Sequence, residues 1–187
     1  MKKLYLLIVS VILVLFLIAI PAFADSLHQG DEAPDVWCYM PTKVVESPVG
    51  DAVLVKVWDD GYWTGTFQIA EGKPTKEFGI TVVYPTDPDD PLAVRLVWSG
   101  TVFFPQVTVN GKTGQLWMRA FAVKEPYAEN WQGTWVITHS SGEVAGIQGH
   151  GTVEGPGWTG EPVDCGNGYW GALGGTYIVE DLVFPDE

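Results

Sequence analysis

From residue 52 onward, short apolar runs rich in Val, Ile, Phe, Tyr and Trp are broken by glycine, proline and aspartate. Apolar runs that alternate with turn residues mark half-buried strands. The pattern predicts strands over 52–58, 62–70, 78–84, 92–104, 107–109, 115–123, 133–139, 149–154 and 174–184, with an edge pairing at 36–40. Turn residues separate them. Asp59-Asp60-Gly61 reads as a turn, 85–91 as an acidic, proline-bounded loop, and Asn110-Gly111-Lys112-Thr113-Gly114 as a hairpin turn. Ser99-Gly100 reads as a bulge. The only helical run is the apolar stretch at the N-terminus, so a βαβ parallel sheet is excluded. In 52–58, Leu54 and Trp58 oppose Val53, Val55 and Val57, so both faces are apolar. Such a strand is buried on both faces or lines a cavity on one. The expected fold is all-β, a single antiparallel, closed or nearly closed barrel.

The stretch GTWVITHSSGEVAGIQGHGTVEG, residues 133–155, sharpens this picture. Gly149, Gly151 and Gly155 come near a dinucleotide-binding fingerprint. That loop must open a helix, so that a pyrophosphate meets the helix N-terminus. Thr152 to Gly157 cannot start one, which argues against the nucleotide reading. A hairpin explains the glycines by backbone geometry alone. It puts Trp135, Ile137 and His139 on one face, with a turn at Ser140-Ser141-Gly142.

The same stretch resembles the signature hairpin of small barrels related to the allene oxide cyclase barrel, where a GTW-V strand leads into a glycine-rich turn. The likeness is to a bacterial group of short, calycin-like barrels. GYWTGTF at 61–67, LVWSGTVFF at 96–104 and NGKTGQLWMRAFA at 110–122 resemble further strands of that group. The resemblance spans about residues 52–155 and departs in the turn, where Thr138 to Gly142 replace a Thr-Gly-Gly-like run. It implies a calycin-like barrel. It supplies no reaction, since one fold hosts many functions.

The N-terminus adds a destination. MKKLYLLIVSVILVLFLIAIPAFADS has a basic start, a long apolar run and Ala22-Phe23-Ala24, the layout of a secretory signal peptide cleaved after Ala24. An uncleaved anchor is the competing reading, because the run is nearly long enough to span a bilayer. The expected organisation is a signal peptide at 1–24, a proline-punctuated lead-in at 25–50 and a barrel domain at 51–187. The protein would be exported to the periplasm, cell surface or medium, with no membrane contact after cleavage. Residues 25–187 carry all 23 acidic residues but only eight of the ten basic ones. Their net charge of about −15 argues against nucleic acid as a partner. Cys38 and Cys165 allow one intramolecular disulfide, which an oxidising compartment favours. Neither has CxxC or zinc spacing, so no metal site is expected, and no cofactor either.

Candidate chemistry is sparse. No Gly-x-Ser-x-Gly, HExxH or Ser/His/Asp set is present, so no catalytic residue is assigned. The two arginines, Arg95 and Arg119, lie in strand-like runs, and Arg119 shares a face with Trp117 and Phe121. An arginine on an apolar face either pairs with an acid, here Glu180 or Asp181, or looks into a wet cavity. His139 and His150 could meet across the hairpin. Nine tryptophans are present. Those in strands suit a core, while Trp131, Trp158 and Trp170 in Gly/Pro-rich segments suit a barrel mouth. Asp87, Asp89 and Asp90 offer oxygen ligands but lack the rest of a calcium loop. The leading expectation is a non-catalytic protein that binds a small apolar or aromatic ligand in the barrel cavity or mouth. Arg119, Trp117, Trp135 and His139 are its ligand-binding candidates. Two readings compete: a cavity-based isomerase or cyclase, as the resemblance implies, and a ligand-free surface interaction protein.

Overall fold

The computed structural model describes residues 35–87, 89–90, 93–156, 163–166 and 169–185. The expected signal peptide lies outside the described residues. Ten strands follow in order: β1 (Asp35–Val49), β2 (Ala52–Thr64), β3 (Gln68–Ile69), β4 (Thr75–Pro85), β5 (Val94–Val109), β6 (Lys112–Lys124), β7 (Trp131–Gly142), β8 (Gln148–Gly155), β9 (Val163–Gly166) and β10 (Tyr169–Val183). No described residue is helical, and each pairing is antiparallel. The all-β, antiparallel expectation is borne out. Hydrogen-bonded neighbours run β1-β2-β4-β5-β6-β7-β8-β10-β9, and β10 also pairs with β1. Asp35 faces Tyr177 and Tyr39 faces Ala172 in that last pairing.

Several strands are longer than their sequence patterns. Residues 35–49, expected in the lead-in, form β1, which pairs with β2 along its length and with β10 only as far as Tyr39. Pro41 and Pro48 lie beyond Tyr39, where no described strand pairs with the other side of β1 and a missing N–H is tolerated. Asp59-Asp60-Gly61 is not a turn. It is held in the middle of β2, with Asp59 between Pro41 and Glu77, and Gly61 between Tyr39 and Thr75. A Cβ on Gly61 would collide with the Thr75 and Glu77 side chains, so this glycine serves close packing. Residues 94–109 form one strand whose register shifts at Pro105-Gln106, not at Ser99-Gly100. The hairpin expected over 110–114 forms, but its turn is only Asn110 (φ 49°) and Gly111 (φ 75°), since Lys112, Thr113 and Gly114 already pair with β5.

Inward side chains alternate along each strand. They meet in a core of Trp63, Phe67, Phe104, Leu116, Met118, Trp135, Ile137, Tyr177, Val179 and Leu182, among others. After β2, the chain crosses under this core and pairs β3 with Val107 and Thr108 of β5. The crossing puts Phe67, which has no exposed surface, among the rings of Trp63, Phe104, Trp135 and Tyr177, with centroids 5.6–6.3 Å away. Phe67 thus plugs one end of the inward space.

Candidate functional site

The other end of that space is open. A cavity of about 280 Å³ is bordered by Tyr39, Val57, Asp59, Thr81, Leu96, Trp98, Ala122, Lys124, Trp131 and Val153, together with Gly155, Pro156 and Gly174. These positions share the core's face. Val57 and Asp59 are in step with Trp63, Leu96 and Trp98 with Phe104, and Ala122 with Leu116 and Met118. The same inward stripe therefore packs at one end and lines a cavity at the other.

Two glycines shape the wall. The Trp98 indole lies over Gly79 and Gly100, and a Cβ at either would run into it. Gly79 and Gly100 face each other across β4 and β5, so together they leave a flat seat for the ring. The glycine read as a bulge is a packing surface.

The polar groups gather where cavity meets core. Glu77, 4% exposed, accepts hydrogen bonds from Trp63 Nε1 (3.2 Å) and Thr75 Oγ1 (2.7 Å) on its Oε1. Asp59 faces Glu77 directly, and its Oδ1 is buried with no hydrogen-bond partner. Burial, reinforced by the neighbouring Asp60 charge, pushes the Asp59 carboxyl up to about 7. Burial also pushes the Tyr39 phenol up to about 12, with added effect from the Asp59 and Glu77 charges. Asp60 itself points to the other side of β2 and pairs with Lys76 at 2.7 Å. A carboxyl group that titrates near neutrality beside aromatic walls can accept or donate a hydrogen bond, or hold a cation.

The residues singled out in the sequence lie elsewhere. Trp117, Arg119 and Phe121 are on the outer face of β6, out of step with buried Leu116 and Met118. Arg119 is exposed and does not look into a cavity. Trp117 stacks on Phe103 (4.5 Å, 25°) and meets His139 (4.8 Å), so the structure brings Trp117 and His139 together on the outside. His139 was expected beside Trp135 and Ile137. The β6–β7 register shifts so that Trp117 faces His139 while Met118 faces Ile137. Thr138 is the extra residue, and it turns His139 outward. Trp135, 3% exposed, is part of the core. Arg95 pairs with Glu125 at 3.1 Å on the surface.

His139 and His150 do not form an acid–base pair on the inward face of the sheet. Both border an outer notch of about 660 Å³, with Asp181, where β7–β8 pairing stops at Val136 and His150. Glu180 approaches His150 Nε2 at 3.8 Å. The described residues hold no group of three or more His, Cys, Asp or Glu able to bind a metal. Trp131, expected at a mouth, borders the cavity. Asp59 was hidden in the sequence because Asp-Asp-Gly has the composition of a turn. The β-branched, aromatic runs on both sides of it were the available signal. No protein-family profile, curated protein or solved structure matches the chain.

Proposed function

We propose that this is an exported, non-catalytic binding protein whose sheet closes into a calycin-like barrel and takes a small apolar or aromatic ligand in the cavity beside Trp98 and Asp59. The observation that carries the reading is the cavity itself: the inward face is packed around Phe67 but left open at the Trp98 end. Its mostly apolar lining with a few polar groups is that of small-molecule sites, and its volume of about 280 Å³ suits a ligand at the small end of that class. The barrel form is supported by the β1–β10 pairing, which returns the strand order to its start. A Cys38–Cys165 bridge belongs to the same proposal. Cys38 is opposite Tyr62, out of step with inward Gly61 and Trp63, yet it is only 2% exposed and is not a free thiol.

The test is fluorescence enhancement of N-phenyl-1-naphthylamine, a neutral aromatic probe that brightens in apolar sites. The wild-type protein should enhance it. Ala122→Phe, which adds a ring to the cavity wall, should abolish enhancement while the protein stays folded. Enhancement that survives Ala122→Phe, or none in the wild type, would remove the cavity as the binding site.

The titration of Asp59 near neutrality favours a second reading, proton-transfer chemistry in the same cavity, as in an isomerase. There Asp59→Asn would stop turnover of a bound compound and spare its binding.

A further inference from the structure

The cavity is not uniformly greasy, and its polar character is lopsided. We infer that its ligand is a small monoamine, with a protonated nitrogen at Asp59 and an aromatic or apolar body against Trp98 and Trp131. This rests on the cavity reading above and names the chemical class that the cavity takes.

Three observations converge on it. Asp59 lines the cavity, and one of its oxygens is buried without a hydrogen-bond partner. A desolvated carboxyl group in that state gains most from a charged donor. Among the described residues, the groups around it supply no such donor. Across β4 stands Glu77, on β1 stand Tyr39 and Pro41, and Asp60 points outward to Lys76. The basic side chain bordering the cavity is Lys124, at the level of Leu96. Along the sheet, Lys124 stands on β6, three strands from Asp59 on β2. Lys124 therefore borders the cavity from a different wall than Asp59. The upward shifts of both Asp59 and Tyr39 reflect, beside burial, the negative charge at this end, which a ligand cation would relieve. Finally, the aromatic borders Trp98 and Trp131 suit an ammonium and the ring that carries it.

Binding such a cation makes Asp59 ionise. Below about pH 7 its carboxyl proton leaves for the buffer as the ammonium arrives, so binding releases a proton. An alcohol of the same shape causes no such release.

The test uses the purified mature protein and three matched probes: 2-phenylethylamine, 2-phenylethanol and 3-phenylpropionate. Titration calorimetry at pH 6, in two buffers of different ionisation enthalpy, reads affinity and proton release together. The amine should bind about tenfold more tightly than the alcohol, the gain of a charge-assisted hydrogen bond, with the carboxylate weakest. It alone should release a proton. Asp59→Asn should bring the amine down to the alcohol's affinity, end the release and leave the alcohol unchanged. If Asp59→Asn does not fold, the wild-type ranking and proton release decide alone. An alcohol or carboxylate that matches the amine overturns the inference, as does an amine preference that survives Asp59→Asn. If N-phenyl-1-naphthylamine binds and none of the three probes does, the monoamine inference falls and the cavity reading stands. If all four fail, both fall.

Discussion

Asp59 of β2 and Glu77 of β4 face each other directly across the inward side of the sheet, at the boundary between packed core and open cavity. The two carboxyl groups are treated differently. Glu77 receives the Trp63 indole N–H and the Thr75 hydroxyl, both on Oε1, while no hydrogen bond reaches the buried Asp59 Oδ1. Burial, reinforced by the neighbouring Asp60 charge, pushes the Asp59 carboxyl in this strand interior up to about 7.

Stability should record that difference. Asp59 holds its proton in the folded chain up to about pH 7, but in the unfolded chain only to about pH 4. Its contribution is therefore complete below pH 4 and is lost as the pH rises through 7. Asn cannot ionise. Asp59→Asn should match the wild type at pH 4 and exceed it at pH 8, by no more than about 4 kcal/mol. Urea unfolding at the two pH values checks this. A variant that tracks the wild type at both would show that Asp59 is well solvated.

The seat under Trp98 predicts a second outcome. Gly79→Ala or Gly100→Ala places a methyl group where the indole lies. Overpacking of this kind costs about 1–3 kcal/mol unless the ring swings away. The open side is the cavity, so the ring should move into it. Both variants should lose N-phenyl-1-naphthylamine enhancement and shift the tryptophan emission maximum. Unchanged probe binding would mean that Trp98 has room behind it.

Cys38 offers a third. Cys38→Ser should remove a cross-link that closes a long loop, worth about 4–5 kcal/mol in chain-entropy terms. The loss should appear in oxidising buffer and vanish under reductant. A denatured mass of the wild type two daltons below the reduced value is expected. A wild-type mass equal to the reduced one would eliminate the bridge.

The outer and inner aromatic positions should part company. Arg119→Met and His139→Ala alter the exposed face. Each should change stability by less than about 0.5 kcal/mol and leave probe binding intact. Trp135→Ala empties a packed position beside Phe67, and should cost about 3–5 kcal/mol. Thermal unfolding and the naphthylamine assay separate the cases. Loss of probe binding in Arg119→Met would move the site to the outer face.

Strand content was legible because alternation and turn residues are local properties. The hairpin read over 110–114 formed, because Asn110 and Gly111 supply the φ angles of a tight turn, and cross-strand pairing drew 112–114 into β6. Reading failed where a neighbour overrode local chemistry. Asp-Asp-Gly is turn-like by composition, yet pairing on both sides keeps it extended. Gly100 looks like a bulge until the Trp98 ring is seen lying across it. One unpaired residue, Thr138, reverses the facing of His139, and nothing near it in the chain announces the shift.

The sequence by itself determined an all-β, antiparallel chain, because hydrophobic period and turn chemistry act over a few residues. Only the tertiary structure decided which face was inward, that one end is filled by Phe67 while the other is hollow, and that Asp59 lies at the junction. Those outcomes depend on register between strands distant in the chain, and a shift of one residue exchanges the two faces.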